Sequence, residues 1–162
     1  MVEKKFNFQD IDLIVYDFDG VMTDNRVIVA QDGIEAVVVN RSDGLGVDCL
    51  GKLGIAQLIL STETNSVVRA RANKLKLQVI DSCNDKESAL KDYCRQKNYD
   101  LNRVIYVGND LNDLDVMKAV GFSVAVADAD EKVKKVAKLI TTKKGGEGVI
   151  KEIFGFIKEH RQ

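Results

Sequence analysis

The chain of 162 residues contains no proline, a single histidine and three cysteines, and it has no long apolar run. The histidine, His160, is third from the end, so a Ser-His-Asp or Cys-His mechanism is poorly supported. Cys49, Cys83 and Cys94 are odd in number and form no CxxC pair, which argues against a zinc site and favours reduced thiols. No stretch approaches the roughly 20 apolar residues of a membrane span.

The composition is that of a folded domain without a strong charge bias. Hydrophobic residues make up 45% of the chain, enough for a substantial core, and the net charge is −1. A charge so close to zero gives no general attraction to nucleic acid or to an anionic membrane, so we expect neither as a partner. The first ten residues, MVEKKFNFQD, contain no apolar signal-peptide core. We therefore expect one soluble, cytoplasmic domain over residues 1–162.

Short apolar runs alternate with longer amphipathic segments along the chain. This alternation predicts a single Rossmann-like α/β domain, in which a parallel sheet carries helices on both faces. Asp32-Gly33 marks the turn of a small β-hairpin at about 26–40. The predicted strands are 12–16, 27–30, 36–39, 56–61, 79–80, 103–108 and 121–127. The predicted helices are 42–53 with Ser42 or Asp43 as its cap, 65–77, 85–97 with Asn84 or Asp85 as its cap, 111–120, 130–139 and 148–160.

Polar residues cluster where the predicted strands end, which is where ligands bind in sheets of this kind. The segment DFDGVMTDN, residues 17–25, follows the first strand and places Asp17 and Asp19 one residue apart. Two acids this close repel each other, and burial increases the cost, so the pair implies either a positive partner or a site that needs the strain. The other polar residues near strand ends are Ser61, Thr62, Lys86 and the segment GNDLND, residues 108–113.

Together these side chains match the needs of phosphoryl transfer. The acids form a hard-oxygen site that suits Mg²⁺, and the cation would relieve the repulsion among them. Lys86 and Ser61 would face a phosphoryl group bound to the metal. Asp17 would attack phosphorus, while Asp19 would give a proton to the departing alcohol and take one from the hydrolytic water.

The segment DFDGVMTD resembles the DxDGVxTDG signature of the haloacid dehalogenase superfamily phosphatases. LILST, Asp85-Lys86 and VGNDLND resemble the second, third and fourth motifs in the correct order, and the resemblance covers essentially the whole chain. The insert after the first motif is small, and in this the chain resembles the branch of the superfamily that lacks a cap domain over the substrate. That branch includes 3-deoxy-manno-octulosonate-8-phosphate phosphatases, nine-carbon sugar-acid phosphatases and a domain of acylneuraminate cytidylyltransferases. The resemblance implies no large cap domain, a homotetramer, and Mg²⁺-dependent hydrolysis of a phosphorylated sugar acid.

The resemblance also implies roles for individual residues. Asp17 would be the nucleophile, Asp19 would be the acid–base residue, and Asp17 with the Asp19 main-chain carbonyl would bind Mg²⁺. Asn109 stands where the branch usually has a metal-binding acid, so the site has one negative charge fewer and we expect weaker Mg²⁺ binding. The other expected metal ligands are Asp110 and Asp113, and the expected phosphate ligands are Ser61, Thr62 and Lys86.

Two further departures from the family pattern lie in loops. Asn25 occupies a position where the signature has glycine, and asparagine tolerates a positive φ, so we expect the turn to survive. Thr62 follows Ser61 where the branch usually has glycine, and its side chain would narrow the pocket.

The residues expected to contact the sugar acid are Glu63, Arg71 and Lys144. Glutamate at 63 resembles the nine-carbon sugar-acid phosphatases, whereas octulosonate phosphatases have arginine there, which favours a nonulosonate 9-phosphate. Arg71 matches a family arginine that can meet the substrate from a neighbouring subunit. Lys144 lies in KKGGEGVIKE, residues 143–152, which resembles a glycine-rich segment that can reach a neighbouring active site.

Two other interpretations stay open. The departures at Asn109 and Thr62 are compatible with a weakly active or non-catalytic module that forms tetramers, as in the appended domain of some cytidylyltransferases. A two-component receiver domain also carries acids and a lysine at strand ends. It is disfavoured because its phosphorylated acid lies on a later strand, whereas the two acids here follow the first.

Overall fold

The first predicted strand lies at the centre of the sheet. The computed structural model describes residues 6–161, so residues 1–5 and 162 of the predicted domain lie outside the described part. Strand β1, Leu13–Tyr16, is buried along its whole length. Successive side chains of a strand point to opposite faces of the sheet, so the burial of all four means that both faces are covered.

The described residues form one six-stranded sheet and one separate hairpin. The remaining strands are β2 (Ile28–Val29), β3 (Glu35–Ala36), β4 (Ala56–Leu60), β5 (Gln78–Ile80), β6 (Val104–Gly108), β7 (Phe122–Ala125) and β8 (Leu139–Ile140). The main sheet has the order β5-β4-β1-β6-β7-β8 with every neighbouring pair parallel, and β2 pairs antiparallel with β3. The predicted α/β fold with a parallel sheet, a small hairpin and no large cap is confirmed.

Six α-helices pack on one another or on the sheet in the described part of the chain. They are α1 (Arg41–Lys52), α2 (Val67–Leu75), α3 (Lys86–Lys97), α4 (Leu114–Ala119), α5 (Glu131–Val136) and α6 (Val149–His160). Helix α1 packs against α6, whereas α4 packs against α3 and α5. None of these helices has the length and apolar character that crossing a membrane requires.

Side-chain caps mark the beginnings of α1 and α3. The Asn40 side chain accepts a hydrogen bond from the Ser42 main-chain N–H at 2.9 Å, so Asn40 caps α1 and the predicted cap at Ser42 or Asp43 is wrong. Asp85 caps α3 by accepting from the Ser88 N–H at 3.0 Å, as predicted. This second cap places Lys86 at the first position of α3.

Several predicted elements are shorter in the structure, and two of them end well before their expected boundaries. The hairpin ladder is limited to β2 and β3, so the predicted strand at 36–39 ends at Ala36, and Val39 forms an isolated antiparallel bridge with Thr23. The predicted helix at 130–139 ends at Val136, because the Lys138 N–H pairs with the Ser123 carbonyl at 2.8 Å and β8 joins the edge of the sheet. Apolar residues in a two-residue edge strand cannot be told from a helix end by their spacing.

Asp43 links α1 to the start of α6. It is fully buried, and it accepts a hydrogen bond from the Ile150 N–H at 3.0 Å. Burial raises the pKa of Asp43 to about 6, and the charges of Arg71 and Lys143 act against that rise. The contact holds the C-terminal helix beside the segment that follows the hairpin.

Candidate active site

The parallel register brings three of the predicted motifs to one edge of the sheet. Tyr16, the last residue of β1, pairs with Ile59 of β4 and Val107 of β6. The chain then continues into Asp17, whose main-chain N–H donates to the Val107 carbonyl at 2.9 Å. Ser61 and Asn109 follow β4 and β6 directly. The carboxyl ends of the three central strands therefore meet, as the positions of the motifs predict.

Lys86 is the positive partner of the acids. Its ammonium lies 2.8 Å from Asp17 Oδ1 and 2.7 Å from Asp113 Oδ1, and its side chain is only 1% exposed. Burial alone would lower the pKa of Lys86, but the two carboxylates outweigh burial and raise it. Lys86 is thus a buried bridge between two motifs, not a solvated lysine on a helix surface.

The buried cluster is short of positive charge. Two carboxylates share one ammonium, and burial together with the charge of Asp113 raises the pKa of Asp17 to about 7 despite Lys86. The Phe18 N–H donates to Asp17 Oδ1 at 2.8 Å and helps to orient it. A cation bound near the other oxygen of Asp17 would therefore be favoured electrostatically.

Asp113 does not fit its predicted role as a direct metal ligand. Oδ1 accepts from Lys86 and from the Tyr106 hydroxyl at 2.7 Å each, and Oδ2 accepts from the N–H groups of Asn109 and Asp110 at 2.9 and 3.2 Å. These four donors occupy the acceptor positions of a carboxylate. Asp113 instead holds Lys86 and the Asn109 main chain in place.

Asp19 has surroundings very different from those of Asp17. It is half-buried and accepts a hydrogen bond from the Thr23 hydroxyl at 3.4 Å. Burial and the nearby charge of Glu63 raise its pKa. It lines a cavity together with Asn25, Arg26, Val27, Glu35, Val37, Glu63 and Val67. One acid therefore lies inside the charged cluster, and the other faces a space that a substrate can enter.

Asn25 adopts a φ of 64°, so the turn survives the replacement of glycine as predicted. At Gly20 a side chain would not be accommodated, because a Cβ there would lie 2.0 Å from the Asn109 side-chain amide and the φ of Gly20 is 84°. Glycine at this position lets the loop after β1 lie directly against Asn109.

The oxygens next to Asn109 are suited to a magnesium ion. One of the two polar atoms of its amide group lies 3.0 Å from Asp17 Oδ2 and 3.0 Å from the Asp19 carbonyl oxygen. Neighbouring ligands of an octahedral Mg²⁺ with bonds of about 2.1 Å are also about 3.0 Å apart. In residues 6–161 no three Asp, Glu, His or Cys side chains group as a metal site. The donor set that fits is therefore one carboxylate, one amide and one carbonyl.

Asp110 follows Asn109 in the sequence, and its side chain forms a helix cap. It is exposed and accepts from the Leu111 N–H at 2.7 Å, so it caps the short 3₁₀ turn at 111–113. A role for Asp110 in metal binding stays a prediction.

The loop after β4 presents the predicted phosphate-binding residues. Ser61 is buried, and its hydroxyl oxygen accepts from the Glu63 N–H at 3.1 Å, which leaves the O–H free to donate. Thr62 is half-buried next to it. The Glu63 carboxylate accepts from the N–H groups of Thr64 and Asn65 at 2.7 and 2.9 Å, so its position is fixed.

Glu35 is a residue of the site that the sequence did not indicate. It lies on β3, and its carboxylate accepts from the Asn65 side-chain amide at 3.1 Å. This contact joins the hairpin to the loop after β4 and brings a third carboxylate to the cavity that Asp19 and Glu63 line. No pattern in the sequence links the two segments, because the partners are far apart along the chain.

Arg71 and Lys144 lie outside the Asp17 cluster of the same chain. Arg71 donates to the Asn40 carbonyl at 2.8 Å and lines a separate cavity with Arg41, Gly44, Asp48, Lys74, Leu75 and Lys76. Lys144 is exposed at a cavity that also contains Asp24 and Arg26. Gly145 packs tightly on the loop after β1, since a Cβ there would meet the Gly20 carbonyl oxygen at 2.1 Å.

The described geometry agrees with similarities to known proteins. A family model described as haloacid dehalogenase-like hydrolase matches residues 54–153. The 3-deoxy-D-manno-octulosonate 8-phosphate phosphatase of Yersinia pestis is 34% identical over 149 residues, which are 91% of this chain and 80% of that protein. The receiver-domain interpretation is therefore wrong.

Solved structures show the same similarity in three dimensions. The octulosonate 8-phosphate phosphatase of Moraxella catarrhalis, solved with magnesium, phosphate and KDO, has a TM-score of 0.91 at 30% identity, covering 95% of this chain and 89% of that one. A structure from Streptomyces avermitilis MA-4680, described as a HAD family hydrolase, has a TM-score of 0.89 at 48% identity, covering 94% and 88%.

Proposed function

Because the chain belongs to the haloacid dehalogenase-like hydrolase family, we propose that it hydrolyses the phosphate ester of a 2-keto-3-deoxy sugar acid through an aspartyl-phosphate on Asp17. The chain is a phosphomonoester hydrolase, and Mg²⁺ is its cofactor. The observation that carries the proposal is the Asp17–Lys86–Asp113 bridge at the strand ends, with Asp19 facing the adjacent cavity.

The two acids divide the chemistry according to their surroundings. The Asp17 carboxylate attacks phosphorus and forms an acyl phosphate, and the ester oxygen leaves with a proton from Asp19. Asp19 then takes a proton from a water molecule, which attacks the same phosphorus and releases phosphate and the Asp17 carboxylate. The raised pKa of Asp19 is consistent with a residue that carries a proton in the first step.

Lys86 and Ser61 supply positive charge and a hydroxyl donor to the phosphoryl oxygens. Asp17, the Asp19 carbonyl and the Asn109 amide would hold the Mg²⁺. When bound, the cation offsets the negative charge that accumulates between Asp17 and the phosphoryl group.

Two sugar acids are candidates for the substrate. The octulosonate 8-phosphate is favoured because curated relatives at 32–34% identity are named phosphatases of that compound. A nonulosonate 9-phosphate is the second candidate, supported by Glu63 at the cavity. The carboxylates of Asp19, Glu35 and Glu63 are acceptors for the hydroxyl groups of a sugar in either case.

Phosphate release from both esters tests this proposal. We expect turnover of the octulosonate 8-phosphate in Mg²⁺ and its loss in EDTA. Glu63→Gln keeps an oxygen acceptor for the N–H groups of Thr64 and Asn65 but removes the charge, so we expect it to change the ratio of kcat/KM between the two esters by roughly tenfold. An unchanged ratio would exclude Glu63 from substrate selection. A folded tetramer that releases no phosphate from any monoester would favour the non-catalytic module.

The exposed apolar hairpin supports a homotetramer. Val27, Ile28, Val29, Ile34 and Val38 are 49–67% exposed, which is unusual for large apolar side chains grouped on one small segment. We propose that hairpins of neighbouring subunits cover one another, and that Arg71 and Lys144 reach the site of a neighbour. A cytoplasmic location stays a prediction.

The mass of the protein in solution tests the proposed homotetramer. Ile28→Lys is expected to shift a tetramer towards smaller species in sedimentation velocity, because it places a charge in the proposed contact. Ile140→Lys is the matched control, since Ile140 is 48% exposed on β8, away from the hairpin. A wild-type monomer, or dissociation by the control alone, would refute a hairpin-mediated tetramer.

A further inference from the structure

Asn109 is held by its main chain while its side chain faces the candidate metal ligands. Its N–H donates to Asp113 Oδ2 at 2.9 Å, and its carbonyl accepts from the Asp130 N–H at 2.8 Å. The residue is 8% exposed, and Gly20 packs against its amide group. A half-turn of the amide group exchanges the positions of its oxygen and nitrogen and leaves these main-chain hydrogen bonds in place.

The two orientations of this amide suit two different states of the site. With nitrogen towards Asp17 Oδ2 and the Asp19 carbonyl, the amide donates to both oxygens at 3.0 Å. With oxygen in that position, three oxygens face one another, which is unfavourable without a cation but matches the spacing of magnesium ligands. An ionised aspartate at position 109 could present only oxygen to Asp17 and the Asp19 carbonyl.

We propose that Asn109 is a two-state ligand, whose amide nitrogen bridges Asp17 and the Asp19 carbonyl without metal and whose amide oxygen binds Mg²⁺ when it enters. This inference rests on the proposed function for the identity of the cation. The exchange leaves the backbone in place, so the metal-free site stays folded and pre-organised. The expected cost is weaker Mg²⁺ binding than an aspartate would give, because the bridge must be broken and one negative charge is missing.

Comparison of Asn109→Asp with Asn112→Asp tests the proposal. Both variants add one negative charge to the same motif, but Asn112 is exposed and not part of the three-oxygen set. In metal-free buffer at pH 8 we expect Asn109→Asp to unfold at a lower urea concentration than wild type, because a carboxylate cannot donate to Asp17. Calorimetry should show Mg²⁺ binding tighter by on the order of tenfold. We expect Asn112→Asp to leave both quantities nearly unchanged.

The side-chain amide signal of Asn109 reports the rotation directly. In a ¹H–¹⁵N spectrum this NH₂ pair is identified by its absence from Asn109→Asp, and we expect it to shift on saturation with Mg²⁺ as its hydrogen bonds to Asp17 and Asp19 are lost. An unshifted signal would overturn the proposal. So would an Asn109→Asp protein that matches wild type in metal-free stability and in Mg²⁺ affinity.

These measurements do not depend on turnover. A protein that hydrolyses no phosphate ester but shows both effects would refute the proposed function and keep the two-state ligand. An active phosphatase without either effect would refute only the two-state ligand.

Discussion

Asp17→Asn is expected to lower kcat by roughly 10⁴-fold or more, because an amide oxygen is not a competent nucleophile towards phosphorus. The substitution keeps the shape of the side chain and an acceptor for the Phe18 N–H. Single-turnover phosphate release in saturating Mg²⁺ measures the effect. Asp24→Asn is the control, since Asp24 belongs to the same motif but pairs with Arg26 outside the cluster. An Asp17→Asn protein with wild-type turnover would refute the covalent mechanism.

Loss of activity in this variant is not expected to come with loss of stability. Burial raises the pKa of Asp17 to about 7 in the folded protein, above its value in the unfolded chain. Ionisation of Asp17 therefore disfavours the folded state, and wild-type stability should fall as the pH rises from about 4 to 7. Asparagine does not titrate, so in EDTA the variant should lose this part of the pH dependence. If the stability of the variant depends more steeply on pH than that of wild type, the predicted direction of the effect is wrong.

Lys86→Met is expected to have the largest effect on stability, with a loss of roughly 3 to 5 kcal/mol in the free energy of unfolding. Methionine fills a similar volume but leaves Asp17 and Asp113 buried without a counter-charge. Urea unfolding in metal-free buffer measures the loss. Phosphate binding should weaken as well, since the same ammonium faces the proposed phosphoryl position.

The control for this experiment lies five residues further along α3. Lys91 is exposed and pairs with Glu87, so Lys91→Met should change the stability by less than about 1 kcal/mol. Adding Asp113→Asn to Lys86→Met removes one of the two buried carboxylates that lack a counter-charge, and it should recover part of the lost stability. If the double variant is no more stable than Lys86→Met alone, the loss does not come from unpaired carboxylates.

The metal-site residues show that the spacing of a motif does not reveal the role of each of its side chains. The motif 108–113 contains two acids and two amides, and the family resemblance put Asn109 at the usual ligand position with Asp110 and Asp113 as further candidate ligands. In the fold, Asp113 receives four hydrogen-bond donors and becomes a support for Lys86, whereas Asn109 faces Asp17. The role of each side chain follows from the direction in which a tight turn points it, and hydrophobic periodicity carries no information about that direction.

Local patterns along the chain are enough to predict the parallel α/β architecture and the edge of the sheet at which the site residues meet. Both follow from local properties: continuous apolar strands alternate with amphipathic segments, and parallel strands bring their carboxyl ends together. Asp17, Ser61 and Lys86 were predictable for this reason. The motif order also identified the family, because each motif is a short contiguous pattern.

Which distant groups become partners depends instead on the complete fold. The burial of Lys86 between two carboxylates, the contact of Glu35 with Asn65 and the short edge strand β8 each depend on packing between segments far apart in the chain. The orientation of the Asn109 amide depends on two oxygens supplied by another loop. Such pairings are selected by the whole fold, since the energy of a buried polar group is set by the atoms around it and not by its neighbours in sequence.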